Sequence, residues 1–213
     1  MHQVSETPIL YFGTPVVLIS SINEDGSVNL APMSSAFWLG WRCIIGLGSA
    51  SQTSVNLIRT RQCVLNLPSV SQVNIVDRLA LTTARNPVPE AKQKKGYQFR
   101  RDKFSIAGVT AISSEIISVP RVKECPIHLE AEVIRFSEIG EDQETIRGRL
   151  LSFELKIVRV HLDESILMNG SPDKVDPDKW KPLIMSFQQF YGIGEKVYGS
   201  RLAQIPENLY KTN

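Results

Sequence analysis

The 213-residue sequence predicts a mainly β fold, an antiparallel barrel with peripheral helices. Three observations carry that expectation. Short runs rich in β-branched residues recur at close spacing, the first pair is joined by a hairpin turn signal, and few helical stretches separate them. A βαβ sheet would need a helix after nearly every strand. The length and a 42% hydrophobic content suit one domain spanning 1–213 better than two small ones.

Taken in order, Pro15 to Ile22 (PVVLISSI) reads as the opening strand. Asp25-Gly26 then signals a tight turn, and Val28 to Ala31 is the return strand. Pro32 cannot donate to a ladder, so this strand lies on a sheet edge or breaks there. Cys43 to Leu47 is a third strand and runs into the small-residue loop GSASQT. Ser51 to Arg61 reads as a short helix, with Ser51 as N-cap and Val55, Leu57 and Ile58 as a rough apolar face. Cys63 to Leu67 returns to strand. Ser69 is placed to cap a second helix, in which Val73, Val76, Leu79 and Ala80 recur at helical spacing.

Arg85 to Lys103 changes character. Arg85, Lys92, Lys94, Lys95, Arg100, Arg101 and Lys103 face only Glu90 and Asp102, while Pro87, Pro89 and Gly96 interrupt any long element. It reads as a surface excursion with a short helix. Ile127 to Phe136 and Leu150 to His161 then alternate partially and form a hairpin through the loop Gly140 to Gly148. From Asn169 onward the chain is turn-rich, yet it carries Trp180, Phe187, Phe190, Tyr191, Tyr198 and Tyr210. So aromatic a segment is expected to pack, on its own chain or on a partner subunit. The barrel core is accordingly placed at about 14–162 and a C-terminal aromatic extension at 163–213.

Charge and composition exclude several classes. The formal net charge is +2 and aromatics are 8%, with no basic stripe interleaved with them, so no nucleic-acid partner is expected. The longest apolar runs fall far short of the roughly 20 residues of a membrane span. No signal-peptide pattern opens the sequence, and a cytoplasmic protein is expected. Cys43, Cys63 and Cys125 are widely spaced in apolar strand-like contexts and read as buried free thiols, neither disulfides nor a metal site. His128 reads as a half-buried strand residue, His161 as a solvent-facing strand end, and Glu130 and Glu132 as the wet face of a strand. No acid–base pair stands out among them, which points to chemistry borrowed from a cofactor.

Two stretches carry candidate sites. GSASQTSVN delivers Ser49, Ser51, Thr53 and Ser54 at a helix start, where free backbone N–H groups and a partial positive charge suit a phosphate. A plain serine-capped helix is the other reading. In APMSS, Ala31 to Ser35, N–H groups freed beyond Pro32 suit a flat heteroaromatic ligand with ring acceptors, with Met33 and Phe37 or Trp38 as an apolar face. A β-bulge with buried hydroxyls is the alternative.

The segments TPVVLISSINEDGSVNLAPMSSAFWLG, IIGLGSASQTSVNLIRTRQCVLNLPS and VPRVKECPIHLEAEV resemble, in that order, the flavin reductase-like family with the FMN-binding split barrel, in particular its flavoredoxin-like branch. The match runs from about Thr14 to Val160, and KWKPLIMSFQQFYGIG is similar to the C-terminal segment of such proteins. The resemblance implies a Greek-key split barrel. It implies that Ala31, Pro32, Met33, Ser34 and Ser35 line the isoalloxazine and ribityl chain, that Asn29 orients the loop, and that Ser51, Gln52 and Thr53 hold the FMN phosphate with Asn56 following on the helix. It further implies FMN or FAD as cofactor, NADH or NADPH as co-substrate, and no catalytic side chain beyond the flavin. A homodimer and a partner monooxygenase taking reduced flavin complete the expectation, and a flavin-binding electron carrier without NAD(P)H turnover is the alternative.

Overall fold

The computed structural model describes residues 1–210, and its architecture is the mainly β, antiparallel split barrel expected from sequence. The chain runs β1 (Phe12–Pro15), β2 (Val17–Ile22), β3 (Val28–Met33), β4 (Ala36–Leu39), β5 (Arg42–Gly48), α1 (Gln52–Thr60), β6 (Gln62–Leu67), α2 (Val73–Leu79), β7 (Thr82–Thr83), α3 (Glu90–Gln93), β8 (Gln98–Phe99) and α4 (Lys103–Ala107). It continues through β9 (Ala111–Ile112), β10 (Arg121–Val122), β11 (Ile127–Glu138), β12 (Leu150–Leu162), β13 (Leu183–Ser186) and β14 (Gln189–Gly192). The main sheet has seven strands in the order β3-β2-β6-β11-β12-β5-β4, all pairs antiparallel. Its two outermost strands, β3 and β4, are consecutive in sequence and joined only through Ser34 and Ser35.

β2 shows why simple alternation is absent from its sequence. Val17 and Ile19 enter the barrel core with Leu57, Leu65, Phe153 and Leu155. Leu18, with Val16 just before the strand, enters a second cluster with Leu30, Val76, Leu79 and Leu183. Both faces are covered, so both faces are apolar. The β2–β3 turn is built as the Asp25-Gly26 signal requires. Gly26 takes φ +81°, and Ser27 donates through its N–H and its hydroxyl to Asp25 Oδ1.

β3 does not break at Pro32. It runs on to Met33, with Pro32 opposite Leu18 and Met33 opposite Val17. As the outermost strand it has a side without a sheet partner, so a residue lacking an N–H is accommodated. The chain turns only at Ser34 and Ser35, where Gly46 N–H donates to the Ser35 carbonyl at 2.9 Å. The second helix is also entered differently: Ser69 and Gln72 form a capping box on a one-turn 3₁₀ segment, Val70–Gln72, which leads into α2.

The C-terminal hairpin β13–β14 pairs β13 with β1, and Leu183 enters the second cluster. Trp180 packs against the barrel core from within the turn-rich stretch. The three cysteines are free and buried, and burial pushes the Cys43 thiol up to about 12.

Two side chains on β11 and β12, Glu130 and His161, depart from expectation. Glu130 is fully buried, because residues 113–119 fold over what would otherwise be the wet face of β11. Its Oε1 accepts the Glu115 N–H at 2.8 Å, and its Oε2 accepts those of Ile116 at 2.8 Å and Ile117 at 3.2 Å. His161 does not face solvent but meets Glu130 Oε1 through Nε2 at 2.7 Å. Burial pushes the Glu130 carboxyl up, but the Glu115 N–H, His161 and the next two N–H groups outweigh it and hold it below the usual carboxylate range. His128 is buried as a strand residue, and burial pushes its imidazole down to about 4, so it is neutral, with Nε2 2.7 Å from the Val122 carbonyl.

Candidate functional site

A cleft opens where β3, the start of α1 and the segment after α2 meet. Its inner cavity, about 140 Å³, is bounded by Asn29, Pro32 and Met33 of β3 and by Ser51, Gln52 and Thr53 at the helix start. Its far wall comes from residues 79–84 and from Lys92, Tyr97 and Lys103. Pro32, Met33, Ala80, Leu81 and Tyr97 are shared with an adjoining cavity of about 520 Å³, which reaches Ser34, Ser35 and the C-terminal hairpin at Met185 and Phe190. The two most suggestive stretches of the sequence thus border one continuous space.

The helix start is prepared for an acceptor. Ser51 caps α1, its Oγ accepting the Ser54 N–H at 3.0 Å. The N–H groups of Gln52 and Thr53, in the first turn, have no acceptor among the described residues. Thr53 is buried, and Asn29 Nδ2 donates to its Oγ1 at 3.1 Å. That bond occupies the Thr53 oxygen as acceptor and leaves its hydroxyl proton to be donated into the cleft. Asn29 is therefore the residue that orients Thr53.

Lys103 supplies the charge. Only 1% exposed, it lies in the first turn of α4 on the same side as buried Ala107. Its Nζ donates to Thr82 Oγ1, whose own proton goes to the Leu79 carbonyl at 2.6 Å. Nζ makes no ion pair with any described carboxylate. Burial, reinforced by the charge of Lys92, pushes its pKa down to about 8. A buried cation with two unused N–H bonds, facing free backbone donors across a small cavity, calls for an anion. Lys92 is also shifted down by burial, and its Nζ lies 5.2 Å from the Tyr97 ring centroid. Part of the basic stretch Arg85 to Lys103 is therefore a wall of the cleft rather than a solvated loop.

Three expected residues fall outside this space. Asn56 is buried, but its amide is already engaged: Nδ2 donates to Ser21 Oγ at 3.0 Å and Asn23 Oδ1 at 2.9 Å, and Oδ1 accepts from Gln52 Nε2 at 2.9 Å. It ties α1 to the β2–β3 hairpin and lines neither of these two adjoining cavities. Ser49 precedes the cap, its N–H bonded to the Arg149 carbonyl at 2.9 Å. Phe37 is 53% exposed, on the outer side of β4, whereas Trp38 packs against the barrel core. Alternation on β4 lets only one of these neighbours face inward. Lys103, Thr82 and Tyr97 have no motif to announce them. The one available signal for Lys103 is its i,i+4 spacing from Ala107 behind an Asp102 N-cap.

These donors and this cation fit the phosphate end of a flavin nucleotide, and the Pro32–Ser35 end offers the apolar strand edge against which a ring could lie. The fit rests on the uncompensated Lys103 charge and the free donors opposite it.

Residues 9–194 match the family described as flavin reductase like domain. A Bacillus subtilis (strain 168) protein, YdfE, itself uncharacterized, is 35% identical over 191 residues, covering 89% of this chain and 88% of its own. The flavoredoxin of Desulfovibrio vulgaris (Miyazaki F) superposes with a TM-score of 0.75 at 21% identity, over 96% of this chain and 100% of that one. Nitrilotriacetate monooxygenase component B from Bacillus cereus gives 0.72 at 21% identity, over 93% and 99%. At such identities the two structures show a shared fold. Among the described residues no helix is long and apolar enough to cross a membrane, and no cluster of His, Cys, Asp and Glu is arranged to hold a metal.

Proposed function

The chain belongs to the flavin reductase-like family, and from that premise we propose that it is an oxidoreductase binding a flavin nucleotide, FMN or FAD, and using NADH or NADPH as electron donor. The observation that carries the proposal is the convergence of Thr53, the free α1 N–H groups and Lys103 on one end of a cleft whose other end is the strand edge Pro32–Ser35. The chemistry FMN supplies when bound is acceptance of a hydride from the nicotinamide and delivery of the electrons to a second acceptor. Everything else falls to the chain. Thr53 and Lys103 hold the phosphate, Asn29 fixes the Thr53 hydroxyl, and Met33 to Ser35 line the ring end. The wider cavity bounded by Tyr11, Gln188 and Phe190 leaves room for the nicotinamide.

The proposed acceptor is a partner monooxygenase, in keeping with the likeness to a monooxygenase component. A second copy of this chain is part of the proposal. Exposed apolar residues crowd the C-terminal segment, among them Tyr191, Ile193, Val197, Tyr198, Leu202 and Leu209. Sedimentation velocity is expected to give a dimer, and a monomer at micromolar concentration would remove that part of the proposal.

The direct test is the absorbance spectrum of the purified protein after incubation with FMN, followed by NAD(P)H oxidation. Bound flavin bands and turnover above that of free FMN are expected. Binding without turnover would leave an electron carrier, and no binding at all would sink the flavin proposal. Thr53→Val keeps the side-chain shape and removes the donated hydroxyl. It is expected to weaken FMN binding roughly tenfold, the worth of one hydrogen bond to a charged group. An unchanged dissociation constant would take the phosphate away from the helix start.

A further inference from the structure

The cleft does not end at the helix start. Beyond Gln52 and Ala84, which line both spaces, lies a further cavity of about 390 Å³. Three guanidinium groups reach it: Arg59 from α1, Arg85 after β7, and Arg101 after β8. Arg59 gives one N–H to the Ile22 carbonyl, and Arg101 pairs with Asp25 Oδ2 at 2.7 Å. The Arg85 side chain has no hydrogen bond or ion pair among the described residues; only its backbone N–H is bonded, to Thr83 Oγ1. Glu24 and Asp25 on the hairpin side leave the wall with one net positive charge. Phe99, 37% exposed on β8, offers an aromatic surface in the same cavity.

We infer that this cavity seats the adenosine-diphosphate half of FAD, so that the chain takes FAD in preference to FMN. The inference rests on the flavin proposal above, because it needs a flavin phosphate at Gln52 and Thr53. From that point a phosphoanhydride continues past Gln52 and Ala84 into the cavity. Arg85, free and planar, is suited to the second phosphate, with Arg59 beside it using its remaining N–H groups. Phe99 provides the face on which an adenine stacks. The volume lies within the roughly 300–1,000 Å³ of ordinary ligand sites. FMN would fill the inner cleft and leave these groups without a ligand.

Isothermal titration calorimetry of the purified full-length protein with FMN, FAD and NAD⁺ tests this. FAD is expected to bind about tenfold more tightly than FMN, as one or two charge-assisted contacts at an exposed wall would give. Arg85→Ala and Phe99→Ala should each bring FAD down toward the affinity of FMN and leave FMN within about twofold of the parent. FAD no tighter than FMN overturns the inference while leaving the flavin proposal standing. So does an equal loss of both flavins in Arg85→Ala, which would move Arg85 to the first phosphate. If FAD shows no advantage and NAD⁺ binding is what Arg85→Ala removes, the cavity belongs to the nicotinamide cofactor and the inference also falls. Binding of neither flavin overturns both.

Discussion

Lys103→Met is expected to move flavin affinity and stability in opposite directions. FMN binding should weaken by roughly 10- to 100-fold, because a charge-assisted contact to the phosphate is lost. The flavin-free protein should become more stable by about 1–3 kcal/mol, because the cost of burying an unpaired cation disappears. The pH dependence gives the sign independently. In the unfolded chain this lysine holds its proton up to its ordinary 10.5, but in the folded protein only to about 8. Below pH 8 the full burial cost is present. As pH rises from 8 to 10.5 the folded protein sheds the proton first, so flavin-free stability gains from this group. Over the same interval FMN should bind less tightly, since the cation facing it is discharged. Lys103→Met should flatten both trends. Urea unfolding and FMN titration at pH 7 and pH 9.5 check this. Retention of FMN affinity within about threefold in Lys103→Met would refute the assignment.

The second large effect is expected at Glu130. Glu130→Ala removes the acceptor of three backbone N–H groups and of His161 Nε2 at once. Stranding those donors should cost on the order of 3–5 kcal/mol, a large share of the 5–15 kcal/mol typical of a folded domain. Glu130→Gln keeps the volume and one acceptor oxygen and should cost about half as much. Because the folded-state pKa lies below the ordinary 4.5, the contribution of the charge is fully present above pH 4.5 and is lost as pH falls through the folded value. Stability measured from pH 7 down to pH 3 should therefore fall more steeply in the parent than in Glu130→Gln. Loss of less than about 1 kcal/mol in Glu130→Ala would show that the loop of residues 113–119 is held by other contacts.

The contrast between Thr53 and Lys103 shows what the sequence makes legible. Strands and hairpins announce themselves through local patterns, and so does the Ser51-capped helix, because caps, turns and β-branched runs are short-range chemistry. The Asn29 and Thr53 pair could be expected because both lie in recognisable stretches brought together by the first hairpin and the first helix. Lys103 could not, because burial is decided by what folds over a residue. A lysine among seven basic residues looks solvated until Thr82 and the helix start close around it. Glu130 and His161 are hidden from sequence for the same reason: alternation along β11 identifies two faces but not whether a distant loop covers the second. Phe37 and Trp38 stay open as alternatives for the ring face because adjacent aromatics on one strand cannot be told apart without the register; β4 turns Trp38 into the barrel core and Phe37 outward, and neither lines the cleft. Asn56 has the right place in the motif, but its amide is fully engaged in anchoring the helix.

β2 contributes to the barrel core through Val17 and Ile19 and to the second cluster through Leu18, and the cleft lies where the two clusters meet, at Ile19 and Leu79. A strand shared in this way couples the two halves of the molecule energetically. Neither cluster can melt without exposing the back of the strand that the other one needs, so both should be lost in a single cooperative transition. A molecule that settles into the cleft then stabilises the whole fold rather than one lobe, by an amount set by its concentration relative to its dissociation constant. The melting temperature of this chain is thus a direct gauge of how fully the cleft is occupied.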